Sequence, residues 1–282
     1  MADLRAYMQK VQQTAFAPRP AGAPPAARMP AAAAVPAPAK PAPVDFSKWG
    51  SVERKKMSLL RKAISAKMTE SWTTVPHITQ FDEIDATGLL ALRSKYAAKY
   101  EKKGAHLTLT SFALKAAVET LKKHPVFNAS IDEAAGEIVY KSYYHIGIAV
   151  DTEQGLIVPV LRDVDKKSLL EVSAEMHTLA ERTRQRKVAL EEMQGGTFTI
   201  SNQGGIGSGH FTPIVNTPEV AILGIGRGSV KPVVRKGKIV QRTMVPIVLS
   251  YDHRIIDGAN AARFMVDLVA AFEGFKEEDV RI

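Results

Sequence analysis

The chain has 282 residues, 45% of them apolar, a net charge of +9 and no cysteine. Such a chain can fold as one large domain or two small ones, and the absence of thiols excludes disulfides, thiolate metal sites and cysteine nucleophiles. Apolar runs stay well below 18 residues, and the basic residues alternate with acidic ones among few aromatics. We therefore expect neither a membrane span nor a nucleic-acid partner. The positive charge is still compatible with binding of a phosphorylated ligand.

The first 43 residues differ in composition from the rest. Residues 2–14 have apolar side chains at helical spacing, and residues 18–43 contain nine prolines and eleven alanines. Proline removes backbone donors and alanine offers little surface to bury, so this stretch is predicted to be a semi-rigid linker. We predict a domain remnant at 1–16, an Ala/Pro-rich linker at 17–43 and a folded domain at 44–282.

Hydrophobic periodicity predicts helices and strands in alternation after position 44. Helices are expected at 53–71, 86–103, 108–123, 167–186 and 259–272, with another helix start near 189. Strands are expected at 73–81 (interrupted by Pro76), 138–140, 145–150, 156–160, 198–201, 220–224, 230–234 and 244–251. There is no internal repeat, so the fold class is α/β or α+β, built on a mixed sheet flanked by helices.

Three segments carry residues suited to chemistry. Leu249–Gly258 contains a histidine at the end of an apolar strand and an aspartate four residues later. Gly195–Gly207 is a strand that leads through Ser201 into a glycine-rich loop, and Asp151–Pro159 contains a turn. Their spacings fit neither a phosphate-binding loop, nor a nucleophile elbow, nor a metal site, so the residues alone leave a structural role open for each.

Together, however, these segments resemble the dihydrolipoamide acyltransferases. His253, Asp257 and Gly258 match that family's His-x-x-x-Asp-Gly signature, and Thr197–Gly205 followed by Phe211–Gly224 resembles a second family block. Asp151–Arg162 resembles a third, and residues 2–14 resemble the last helix of the peripheral-subunit-binding domain. No lipoyl domain is seen. We therefore expect the chain to be a fragment that begins at the end of the peripheral-subunit-binding domain.

The resemblance implies a reaction that moves an acyl group between a dihydrolipoyl thiol and coenzyme A. A thiol has a reference pKa of about 8.5, so a base of near-neutral pKa is needed to activate it, and a histidine suits that task. The resemblance makes His253 this base and Ser201 the hydroxyl donor to the tetrahedral oxyanion. Asp257 would help to fix the histidine loop, through Arg254, or would cap the helix that follows.

The resemblance also implies that coenzyme A is a substrate, with Arg93 and Ser130 near its 3′-phosphate. Arginine suits a phosphate because its donors form a bidentate fork, although Arg93 is equally compatible with a solvated helix face. The lipoyl group would be carried on a domain absent from this chain. No metal is expected.

The fold implied is that of chloramphenicol acetyltransferase, a trimer whose active site combines His253 of one chain with Ser201 of its neighbour. In the family, such trimers assemble into cubic or dodecahedral cores that bind 2-oxo acid dehydrogenase and dihydrolipoamide dehydrogenase subunits and are visited by lipoyl domains. Residues 44–50, residues 75–82 and Ser201 favour an acetyltransferase of the pyruvate dehydrogenase complex, located in a bacterial cytoplasm or otherwise in a mitochondrial matrix. A branched-chain acyltransferase, a non-catalytic scaffold and an acetyltransferase for a small acceptor such as an antibiotic remain alternatives.

Overall fold

The structure is a computed structural model that describes residues 44–153 and 155–282. The predicted domain remnant and the whole of the predicted linker, residues 1–43, lie outside the described residues. The chain divides into two units, residues 1–55 and 56–282. In the first, a 3-10 turn at Phe46–Trp49 is capped by Asp45, whose side chain accepts a hydrogen bond from the Ser47 amide. The second unit holds the sheet and the helices.

Six α-helices are described in the second unit. Their bounds are α1 Leu59–Thr74, α2 Thr87–Glu101, α3 Leu109–Lys123, α4 Leu169–Arg184, α5 Gly258–Glu273 and α6 Glu277–Val280. Further 3-10 turns lie at Pro125–Asn128 and Leu190–Met193. Capping boxes start α3 at Thr108 and α4 at Ser168, as expected where a hydroxyl side chain precedes an apolar-periodic segment.

The eleven strands described are short except for the last. Their bounds are β1 His77–Asp85, β2 Ala129–Asp132, β3 Glu137–Tyr140, β4 Ile146–Ile148, β5 Val150–Thr152, β6 Gly155–Ile157, β7 Val160–Leu161, β8 Phe198–Asn202, β9 Ala221–Ile225, β10 Ser229–Arg235 and β11 Lys238–Asp252. The main sheet has the order β1-β11-β9-β8-β4-β7, and β10 pairs with β11. The β4–β8 and β8–β9 pairs are parallel and the other pairs of this sheet are antiparallel, so the predicted mixed sheet flanked by helices is confirmed.

Two predicted boundaries near the start of the domain are wrong. Helix α1 begins at Leu59, not at residue 53, because Ser58 is extended and its hydroxyl accepts a 3.1 Å hydrogen bond from the Arg61 amide. The helix also continues to Thr74, which overlaps the strand predicted at 73–81. Val75 is extended, as a residue before proline prefers, so the helix ends there and β1 starts only after Pro76.

The core lies between one face of the sheet and helices α3, α4 and α5. Phe112, Phe127, Phe198 and Phe264 are fully buried in it, and the rings of Phe127 and Phe264 stack with centroids 4.1 Å apart. Alternation along β8 sends Phe198 and Ile200 into this core and Thr199 and Ser201 to the opposite face. Ser201 therefore lies on the face of the sheet away from these helices.

Candidate active site

His253 lies in the turn that follows β11, and its side chain is exposed. Its backbone amide donates a 3.1 Å hydrogen bond to the carbonyl of Pro76, and its ring stacks on Tyr251 with centroids 6.0 Å apart. Among the described residues, none hydrogen-bonds either ring nitrogen. The ring opens on a cleft of about 350 Å³ lined by Pro76, His77, Ile78 and His253. Both ring nitrogens are therefore accessible for hydrogen bonds with a ligand.

The turn around His253 is held by its two sequence neighbours. The Asp252 side chain is buried, and it accepts hydrogen bonds from both the backbone amide and the guanidinium of Arg254. Arg254 also donates to Glu133, in the turn between β2 and β3. The expected contact between Asp257 and Arg254 is therefore not formed, because Asp252 and Glu133 take the guanidinium.

Asp257 occupies the N-cap position of α5, but its side chain makes no capping hydrogen bond. Burial and, to a smaller extent, the Asp257 carboxylate raise the pKa of the Tyr251 hydroxyl. Asp257 thus contributes charge to the surroundings of the turn. Neither of the two specific contacts expected for its side chain is made.

His77, which the sequence analysis did not single out, lies beside His253 in the same cleft. Its Nε2 accepts a 3.0 Å hydrogen bond from the Val215 amide, and its Nδ1 lies 2.8 Å from the Val75 carbonyl oxygen. Because one nitrogen accepts and the other faces an acceptor, the proton must be on Nδ1. The Trp72 ring stacks on this imidazole at 5.4 Å. His77 therefore serves as a fixed wall of the cleft, and the only sequence signal for it was its place directly after Pro76.

Ser201 lies near the carboxyl end of β8, on the sheet face opposite the helices, and is 5% exposed. Within the described parts of the chain, its hydroxyl makes no hydrogen bond. Backbone amides fix the start of the following loop: that of Gln203 donates to the Ile225 carbonyl, and that of Gly204 donates to the Asn202 side chain. The hydroxyl is consequently available as a donor to a ligand.

A buried carboxyl group, that of Glu219, lies against the strand that carries Ser201. Glu219 is 4% exposed and accepts a 2.6 Å hydrogen bond from the Thr199 hydroxyl, two residues before Ser201 on the same strand. Burial raises the pKa of the Glu219 carboxyl to about 7, against the lowering effects of Thr199, Lys141 and Asn216. Burial likewise lowers the pKa of Lys141, whose Nζ is buried without a hydrogen-bond partner among the described residues. The signal that could have identified Glu219 is a charged residue directly before a fully apolar strand.

Within one chain, Ser201 and His253 lie at opposite ends of the sheet. Ser201 pairs with Gly224 and Gly224 with Val248, whereas His253 comes five residues after Val248, just beyond the end of β11. At ~3.3 Å per residue along a strand and ~4.8 Å between strands, the two residues are separated by on the order of 20 Å. One chain therefore cannot bring both side chains to the same reacting atom.

The two residues expected near the coenzyme A phosphate are on separate elements. Arg93, on α2, donates from Nε to the Leu107 carbonyl at 3.1 Å, and its terminal nitrogens make no hydrogen bond within the described structure. Ser130, on β2, donates to the Pro218 carbonyl at 2.5 Å. No contact joins Arg93 to Ser130, so the structure does not bring these two residues together.

The described residues offer neither a metal-binding cluster nor a membrane-spanning helix. They contain no group of three or more histidine, aspartate or glutamate side chains that could hold a metal ion. None of their helices is long and apolar enough to cross a membrane.

Comparisons with known proteins place the chain in a family. The model of the 2-oxoacid dehydrogenases acyltransferase catalytic domain matches residues 50–277. The dihydrolipoyllysine-residue acetyltransferase component of the Pseudomonas aeruginosa pyruvate dehydrogenase complex is 50% identical over 222 residues, which cover 78% of this chain and 40% of that protein. The Bacillus subtilis component of the same name is 48% identical over 74% of this chain and 47% of that protein. The chain thus spans less than half the length of these curated relatives.

Solved structures agree with this placement. A structure of Azotobacter vinelandii dihydrolipoamide acetyltransferase, determined to study a serine, a histidine and an asparagine in its catalytic mechanism, has a TM-score of 0.81 and 47% identity, covering 84% of this chain and 97% of that one. A structure of the cubic core of the pyruvate dehydrogenase multienzyme complex has a TM-score of 0.81 and 46% identity over the same shares. The chain belongs to the 2-oxoacid dehydrogenase acyltransferase family, through its catalytic domain.

Proposed function

We propose that this chain transfers an acetyl group between a dihydrolipoyl thiol and coenzyme A, with His253 as the general base and Ser201 as the oxyanion donor. One observation carries the proposal. In the Azotobacter enzyme the studied serine, histidine and asparagine are spaced by 52 and 4 residues. Ser201, His253 and Asp257 have the same two spacings in this chain.

The third position differs between the two proteins. This chain has Asp257 where the Azotobacter enzyme has an asparagine. A role that tolerates an amide and a carboxylate cannot depend on a full negative charge next to the histidine. We therefore assign the proton transfer to His253 alone and give Asp257 a part only in the surroundings of the turn.

The proposed reaction needs one base and one donor. His253 removes the proton from the coenzyme A thiol as its sulfur attacks the carbonyl carbon of the acetyl-dihydrolipoyl thioester. A new carbon–sulfur bond forms, and Ser201 donates a hydrogen bond to the oxyanion of the tetrahedral intermediate. The intermediate collapses by breaking the bond to the lipoyl sulfur, which takes the proton from His253. The acetyl group has then changed carriers without an acyl-enzyme.

The site would be built from two copies of the chain. The separation of on the order of 20 Å between Ser201 and His253 supports this arrangement, because a second chain can supply the missing partner. A closed ring of such shared sites needs a heterologous interface, which the predicted trimer has. The solved cubic core supports the further proposal that the trimers assemble into a larger core, cubic rather than dodecahedral.

Coenzyme A would be held in part by Arg93, whose terminal nitrogens are available for a phosphate. Ser130 is the weaker candidate, because its proton is already donated to the Pro218 carbonyl and it could meet a phosphate only after rotating. The lipoyl domains and the dehydrogenase subunits are proposed as partners by family membership. The compartment is proposed to be the bacterial cytoplasm, since the relatives compared above are bacterial.

Complementation between two inactive variants tests the shared site. We expect His253→Ala and Ser201→Ala each to lower acetyl transfer between acetyl-CoA and free dihydrolipoamide by about 10² or more. When the two variants are co-expressed and mix at random, about a quarter of all sites, averaged over the rings, combine an intact serine with an intact histidine. The mixture should therefore recover up to about a quarter of the wild-type rate.

Two results would contradict the proposal. Near-normal turnover by the His253→Ala variant alone would contradict the assignment of His253 as the general base. A co-assembled mixture that stays as inactive as its components would show that both side chains act within one chain. Sedimentation of each sample confirms that the variants assemble, and mixing the purified variants without co-assembly provides the control.

A further inference from the structure

We propose that Glu133 is a positioning residue for His253, acting through Arg254 and Asp252; the inference rests on the proposed function. These residues come from two distant parts of the chain. Asp252 and Arg254 flank His253 directly, whereas Glu133 lies in the turn of the β2–β3 hairpin. In the structure, hydrogen bonds between charged side chains connect Asp252 to Arg254 and Arg254 to Glu133.

The first part of this network fixes the backbone on both sides of His253. Asp252 is 1% exposed, and a carboxylate in the interior needs hydrogen-bond partners. Its Oδ1 accepts the backbone amide of Arg254 at 3.0 Å and Nε of the same residue at 3.0 Å, and its Oδ2 accepts Nη2 at 2.7 Å. The Asp252 carbonyl accepts the Ile256 amide at 3.1 Å. The turn that presents the imidazole is therefore closed around a single buried carboxylate.

The second part ties this turn to the hairpin. The remaining terminal nitrogen of Arg254, Nη1, donates to Glu133 Oε1. The hydrogen bond to Asp252, with a further one to Glu133, raises the pKa of Arg254 above its already high ordinary value, so the guanidinium stays charged. All three donor nitrogens of the fork are then in use, and its orientation is fixed from two directions. Without Glu133, the guanidinium would be anchored to Asp252 alone.

The orientation of His253 depends on this turn because its ring has little else to hold it. The Tyr251 stack is its only ring contact among the described residues, and neither ring nitrogen is hydrogen-bonded there. A general base must be aimed at its proton to within a fraction of an ångström, and a misplacement of about 1 Å can cost a factor on the order of 10². A small displacement of the turn should therefore lower the rate of proton transfer more than it lowers substrate binding.

The contribution of Glu133 to folding should be small. Its side chain is 65% exposed and that of Arg254 is 33% exposed, and ion pairs so open to solvent stabilise proteins little. Glu137 offers a matched control in the same hairpin, since it is exposed on β3 and makes no ion pair within the described residues. The two glutamates differ in the Arg254 contact, which is the feature under test.

The experiment compares Glu133→Ala, Glu133→Gln and Glu137→Ala in the assembled protein, with acetyl-CoA and free dihydrolipoamide as substrates. We expect Glu133→Ala to lower kcat about five- to tenfold with KM for both substrates within about twofold. Glu133→Gln keeps an oxygen within reach of Arg254, so it should recover most of this loss. Glu137→Ala should match the wild type.

A double variant separates positioning from a general structural effect. In a His253→Ala background, Glu133→Ala should cause no further loss, because a residue that acts through the imidazole has nothing left to position. An unchanged kcat in Glu133→Ala, a raised KM alone, or an additive loss in the double variant would overturn the inference. If Glu133→Ala does not assemble, Glu133→Gln takes its place in the cycle. High turnover by His253→Ala itself would instead contradict the proposed function, so the two failures can be told apart.

Discussion

The hydroxyl of Thr199 donates a 2.6 Å hydrogen bond to a carboxyl oxygen of Glu219 that is buried beneath the strand carrying Ser201. The Asn216 side chain approaches the other carboxyl oxygen at 3.4 Å, and a Cβ on Gly196 would come within 2.6 Å of it. Thr199, Asn216 and Gly196 thus surround the carboxyl group closely. The protein interior therefore raises the pKa of this carboxyl above its ordinary value.

We predict that Glu219 makes the folding stability depend on pH between about 4.5 and about 7. Burial raises its folded-state pKa to about 7 from an ordinary 4.5, so the folded chain binds more protons than the unfolded chain in this window. Stability must then fall as pH rises through it, by up to about 3 kcal/mol. Urea unfolding midpoints at several pH values, at one protein concentration, should show this slope in the wild type and a smaller one in Glu219→Gln.

The exposed residue Glu101 provides the control for this comparison. A Glu101→Gln variant removes one carboxylate from the surface and should keep the wild-type slope. Equal slopes for the wild type and Glu219→Gln would show that the buried carboxyl does not titrate in this range.

Ser201→Ala is predicted to act on turnover and not on binding. An oxyanion donor acts mainly in the transition state, so its removal should lower kcat by on the order of 10² and leave KM for coenzyme A nearly unchanged. Steady-state kinetics with both substrates varied make the measurement. Ser208→Ala, in the loop that follows, should leave both constants near their wild-type values, and a loss that appears only as a raised KM would make Ser201 a binding residue.

Gly226→Ala is predicted to be strongly destabilising. A Cβ at this position would lie 1.8 Å from the carbonyl oxygen of Gly209 and 2.8 Å from Pro246, and the Gly209 atom belongs to backbone that cannot rotate away. We expect a loss of unfolding free energy on the order of 3 kcal/mol or more. Gly205→Ala, in the loop after β8 that also contains Gly209, meets no atom within 4 Å and should change stability little, so similar thermal midpoints for both variants would contradict the prediction.

Residues 1–43 are predicted to be dispensable for assembly and for transfer between free substrates. Nine prolines and eleven alanines between positions 18 and 43 leave few side chains to pack. In an extended form of ~3.1 Å per residue, this segment would span up to about 80 Å, a reach suited to holding a binding domain away from the core. Sedimentation and turnover of a chain that begins at Val44 provide the test. Loss of either property would move the domain boundary toward the N-terminus.

Much of the fold was readable from local patterns. The helices predicted at 86–103, 108–123 and 167–186 are found within two residues of their expected ends, because apolar spacing and capping residues act over a few positions. The start of α1 was predicted too early because two local signals, apolar spacing and a capping residue, disagree there. Met57 continues the apolar spacing, but the Ser58 cap one residue later ends the extended chain and starts the helix.

For the candidate site, the sequence by itself determined which residues to consider, through the His-x-x-x-Asp-Gly segment and the strand that ends near Ser201. The tertiary structure decided how they are related. Pairing of β8, β9 and β11 separates Ser201 from His253, and contacts across more than a hundred residues give Arg254 its Glu133 partner and His77 its Val215 donor. Such contacts depend on strand register and on how the chain crosses between strands. Both bring together residues that are distant in sequence, so no local spacing predicts the contact.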